Sequence, residues 1–103
     1  MDNRVNQIAA NYTRTIKKYY PIKSAYLYGS HVKGTARDDS DIDIAIVMEP
    51  IEDKEYYNIF GELFNIAADF HSNIEPNLLI DDGEDDRFSL LSEVMETGKL
   101  IEV

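Results

Sequence analysis

The chain has 103 residues, no cysteine, and 20 acidic side chains against 10 Lys and Arg, a net charge of −10. That length suits one domain, 1–103, able to bury a core without disulfides, and the missing cysteines exclude thiolate metal sites. The charge argues against a polynucleotide substrate, which is gripped by clustered Lys and Arg, and no apolar run approaches the roughly 20 residues of a membrane span.

The opening Met1-Asp2-Asn3-Arg4 leads straight into an amphipathic segment, with no signal-peptide pattern. The expectation is a soluble, cytoplasmic protein. Val5, Ile8, Ala9, Tyr12, Ile16 and Tyr19 recur at steps of three and four, which predicts a helix over about 3–20. Pro21 stops it. Ile22 to Tyr28 reads as a first strand. Gly29 permits a tight turn and lets a ligand approach the backbone. Ser30 is expected to cap a short helix starting at His31 and to offer its hydroxyl to a phosphate.

Asp38, Asp39 and Ser40 form a polar turn before a second strand, Asp41 to Met48, which Pro50 ends. Tyr56, Ile59, Phe60, Leu63, Phe64, Ala67 and Phe70 share one stripe and predict a helix over roughly 52–71. Glu52, Asp53 and Glu55 suit its positive N-terminal end. Gly61 inside it costs about 1 kcal/mol against Ala, and nothing in the sequence explains it. Ile74 to Ile80 reads as a third strand, and Pro76 confines it to an edge or an irregular end. An acidic turn, Asp81-Asp82-Gly83-Glu84-Asp85-Asp86, precedes a last helix carrying Phe88, Leu91, Val94 and Met95 on one side. Gly98 is its expected stop, and Leu100 to Val103 is a short closing strand or tail. The order of elements predicts an α/β (α+β) fold, a small mixed β-sheet with helices packed on it.

The chemistry concentrates between Ala25 and Val47. Residues i and i+2 of a strand share a face, with Cα atoms roughly 6.6 Å apart. Asp41 and Asp43 are therefore expected to point one way while Ile42, Ile44 and Ile46 point into the core. Two carboxylates held that close repel each other and gain little unless a cation lies between them. Gly29-Ser30, ten residues, then Asp41-Ile42-Asp43 on a strand resembles the signature of the polymerase-beta-like nucleotidyltransferases. The wording from Gly29 to Asp43 is most similar to the minimal nucleotidyltransferases, small prokaryotic domains often found beside helical HEPN-domain partners.

The resemblance implies transfer of a nucleoside monophosphate, AMP from ATP being the expected case, to a hydroxyl with release of pyrophosphate. It implies Asp41 and Asp43 as catalytic metal ligands bridging two Mg²⁺ ions when the nucleotide is bound. A third carboxylate usually completes such a site from a neighbouring strand. Glu75 is the candidate, with Asp69 and Asp81 as weaker substitutes. Gly29, Ser30, Lys33, Arg37 and Ser40 are the candidate nucleotide-binding residues. His31 and His71 are expected in surface or capping roles. The acceptor is a hydroxyl of a partner protein or of a small molecule. A HEPN-type toxin paired with this chain as antitoxin is one such partner, and a homo-oligomer is another possible assembly. The competing reading is an inactive scaffold that acts by complex formation, with exposed tyrosines such as Tyr20 or Tyr57 serving the interface. A calcium loop beginning at Asp39 is excluded: its sixth position needs Gly and holds Ile44, and its twelfth needs Glu and holds Pro50.

Overall fold

The computed structural model describes residues 3–83 and 87–103. Its elements are α1 (Asn3–Tyr19), β1 (Ser24–Tyr28), α2 (Ser30–Lys33), β2 (Ile42–Met48), α3 (Asp53–Ala68), β3 (Ile74–Ile80), α4 (Leu90–Thr97) and β4 (Lys99–Leu100). The strands form one sheet in the order β3-β2-β1-β4. β1 is antiparallel to both β2 and β4, whereas β2 and β3 are parallel. The parallel pair requires a crossover, and α3 supplies it. This is the mixed sheet with packed helices that the order of elements predicts.

Alternation along β2 divides the molecule into two layers. Ile42, Ile44, Ile46 and Met48 face α1 and α3 and form the main core with Val5, Ala9, Tyr12, Ile16, Ile59, Leu63 and Ala67. Tyr12 is fully buried there, and its hydroxyl donates to the Leu63 carbonyl at 2.8 Å. Burial pushes that hydroxyl's pKa up strongly. Ala45 and Val47, on the opposite face, are buried as well. α4 contacts β1 and β3, the strands flanking β2, and its Val94 is buried. The second face is therefore covered at one end. Asp43, at the other end of the same face, is only half-buried.

β3 is an edge strand, one of the two placements Pro76 allows, and Pro76 pairs opposite Ile44. Other details depart from expectation. Tyr19, the last residue of α1, is 69% exposed. Phe88 precedes α4 and is 98% exposed. Ser89 caps that helix, accepting from the Ser92 amide at 3.0 Å. Gly98 follows α4 with a φ of −78°, not in the left-handed conformation of a usual glycine stop. It is small because any Cβ would press on the Val94 and Leu27 carbonyls. Tyr20 is half-buried against the core, whereas Tyr57 is 73% exposed. Gly61 is exposed with open space around it, so its presence has no structural explanation. The expected acidic turn extends into residues 84–86, which lie outside the described residues. No helix among the described residues is long and apolar enough to cross a membrane.

Candidate active site

The site is built at the point where β1 ends, α2 begins and β2 starts. Gly29 adopts a φ of 78° and acts as the N-cap of α2, so Ser30 opens the helix instead of capping it. The positive φ that turns the chain away from β1 is open to glycine and strained for other residues. Gly29 is required a second time by space, since a Cβ there would collide with the Asp43 carboxylate. The bend and the aspartate thus lie in direct contact.

Register does the rest. Asp43 pairs with Tyr28 across the antiparallel ladder and with Glu75 across the parallel one. Tyr28, Asp43 and Glu75 form one row across three strands on the same face. β2 begins at Ile42, so Asp41 sits just before the strand and is exposed. The Ile42 amide donates to the Asn73 carbonyl at 2.8 Å, which holds the start of β2 beside the start of β3.

The electrostatics show that the carboxylates sense one another. The Asp43 carboxyl is held above its ordinary pKa, first by burial and then by the Asp41 charge, with His31 opposing. The Glu75 carboxyl is raised chiefly by a hydrogen bond to Asp41, then by the charges of Asp41 and Asp43. Tyr28 is raised by burial and by Asp43 and Glu75, against the effect of a hydrogen bond with the Asn77 side chain. Part of each carboxyl's shift comes from a neighbouring carboxylate's charge. The structure therefore brings Asp41, Asp43 and Glu75 together, and it excludes one substitute. Asp81 lies at the far end of β3, where its amide bonds the Met48 carbonyl and its carboxylate pairs with Lys23 at 3.1 Å. Asp69 follows α3 as its exposed C-cap.

The remaining candidates are placed differently. Lys33 is exposed at the end of α2. Ser40 closes a small turn, its hydroxyl accepting from the Arg37 amide at 2.7 Å. Arg37, Ser40 and His31 line a cavity of about 280 Å³ that the three carboxylates do not line. Sequence reasoning missed Tyr28 and Asn77. The signal for Tyr28 was its place immediately before the bend, and for Asn77 the two-residue spacing from Glu75.

A family model for polymerase beta nucleotidyltransferases matches residues 10–102. The chain belongs to this family. Its fold also resembles the crystal structure of a proposed nucleotidyltransferase from Sulfolobus solfataricus, with a TM-score of 0.64 and 23% identity over 94% of this chain and 78% of that one. No curated protein is significantly similar in sequence. Family members generally use divalent metals. Among the described residues no three His, Cys, Asp or Glu side chains are drawn close enough to hold a metal ion as they stand. The chemistry of the donors nevertheless fits a hard divalent cation, because three mutually repelling carboxylates supply only oxygen ligands.

Proposed function

We propose that this member of the nucleotidyltransferase family moves AMP from ATP to a hydroxyl in a Mg²⁺-dependent reaction. The observation that carries the reading is the convergence of Asp41, Asp43 and Glu75 beside the Gly29–Ser30 bend. Asp41, Asp43 and Glu75 would hold the metal. When bound, it neutralises charge on the phosphoryl oxygens.

The chain's own residues have separate tasks. Gly29 leaves room for Asp43 against the bend, and Ser30, at the first position of α2, offers its hydroxyl to the phosphates. Glu75 is on the edge strand and exposed, so an acceptor can reach it. The acceptor oxygen forms a bond to the α-phosphorus as the bond to the β-phosphate bridge breaks, and pyrophosphate leaves with that electron pair. Glu75, the carboxylate within the acceptor's reach, takes the acceptor's proton. Tyr28 and Asn77 brace the floor of the row.

The acceptor in this reading is a hydroxyl of a partner protein. The resemblance to minimal nucleotidyltransferases favours a HEPN-domain toxin for which this chain is the antitoxin. Tyr57, exposed on α3, is open to such a partner. The test is incubation with Mg²⁺, α-labelled ATP and the candidate partner, beside Asp41→Asn and Asp43→Asn. Labelling should fall by at least 100-fold in both variants. Equal labelling by all three proteins would remove the assignment.

A further inference from the structure

We propose that the cavity behind the signature loop is a second ligand site, one that takes a small organic phosphate. The cavity, about 280 Å³, lies between the start of α1, the connector from α2 to β2, and the turn entering β3. That volume corresponds to roughly nine waters, room for a phosphate with a short organic body. Asp41, Asp43, Glu75 and Ser30 are not among its walls, so it adjoins the carboxylates, with Asp41 between the lining residues Ser40 and Ile42, without sharing them.

Charge is the main argument. In a chain of net charge −10, two of the four arginines and both histidines line this one cavity. Asp38 is the sole carboxylate among the lining residues. Arg37 has no ion pair among the described residues, and its planar guanidinium suits a phosphate. His71 has a defined orientation: its Nδ1 accepts from the Asn73 amide at 3.0 Å. The ring proton is therefore on Nε2, which acts as a donor. Val5, Ile8 and Ile42 give the cavity an apolar wall for the organic part. A cluster of donors with one acidic neighbour selects an anion, and the apolar wall selects an organic one. The proposal does not depend on nucleotidyl transfer.

The test is an NMR titration of the His71 ring and Arg37 guanidinium signals in EDTA-containing buffer without nucleotide. The probes are inorganic phosphate and propyl phosphate, with sodium chloride and acetate at matched ionic strength. Saturable shifts with both phosphates are expected, with propyl phosphate at least as tight, and none with chloride or acetate. Arg37→Gln, on an exposed connector, should weaken binding at least tenfold, and Asp43→Asn should leave it unchanged. Shifts that merely follow ionic strength would overturn the site. Loss of binding in Asp43→Asn with retention in Arg37→Gln would also overturn it, placing the phosphate at the carboxylate row. Because metal and nucleotide are absent, failure here leaves the transfer reading untouched, and a failed transfer assay leaves this site untouched.

Discussion

Asp43 owes its position to a missing methyl group. The carboxylate lies where the Cβ of any other residue at 29 would be, and the φ of 78° there already disfavours a side chain. Gly29→Ala should therefore destabilise the fold by about 1–3 kcal/mol. At about 4–8 °C per kcal/mol for a domain near this size, the loss is readable as a lowered Tm. An unchanged Tm would mean that Asp43 is not packed against the bend. Titration gives a second handle on the same residue. Asp43 is raised by burial and by Asp41, so its protonated form favours the folded state. Its contribution is fully present below the ordinary carboxylate range and is lost as pH rises through the raised folded value. Without metal, Asp43→Asn should melt higher than wild type at pH 7, and the gap should close as the pH falls below that range. Mg²⁺ should reverse the comparison by stabilising wild type at pH 7, because a ligand that binds only the folded state raises its Tm. A metal response of equal size in both proteins would take Asp43 out of the metal site.

At the scale of elements, α1 is tied to α3 by packing and by one polar contact. The Tyr12 hydroxyl donates to the Leu63 carbonyl from a fully buried position. Tyr12→Phe keeps the ring and removes only that bond, so a cost of about 0.5–1.5 kcal/mol is expected from urea unfolding. No cost would show that the bond adds nothing. The stripes that carry α1 and α3 were legible in sequence because helical periodicity is local. So was the edge position of β3, since a proline cannot serve both neighbours in a ladder. The pairing of Asp43 with Glu75 was legible only as a possibility. Register across a parallel crossover is decided by how sixteen residues of α3 pack, which no local pattern encodes. The same reason hid Tyr28, whose neighbour at 43 is supplied by the fold. His31 and His71, forty residues apart, lack any shared motif, yet they line one cavity because the entries to β2 and β3 are bonded together through Ile42 and Asn73. Phe88 lies outside the last helix because the cap at Ser89 starts the helix after it.

At the scale of the whole molecule, the distribution of charge separates two kinds of phosphate ligand. Binding a nucleic-acid backbone draws its free energy from several cations arranged along a surface and the counterions they release. Here several of the cations are engaged elsewhere: Lys23 pairs with Asp81, Lys17 donates to the Val103 carbonyl oxygen at 3.2 Å, and Lys99 to Asn6 at 3.4 Å. Arg4 and Arg37 line a cavity too small for a polymer to follow. The rest of the surface carries the excess that makes the net charge −10, which repels a polyanion at long range. A single nucleotide would avoid that repulsion where divalent cations held at the carboxylate row offset its charge. The expected outcome is that fluorescent ATP binds in the presence of Mg²⁺, whereas 20-nucleotide DNA and RNA give no anisotropy change at 150 mM salt. Lowering the salt to 50 mM should not restore polymer binding, because a chain with few phosphate contacts has little salt dependence to exploit. Tight, strongly salt-dependent binding of either polymer would overturn the exclusion of polynucleotides.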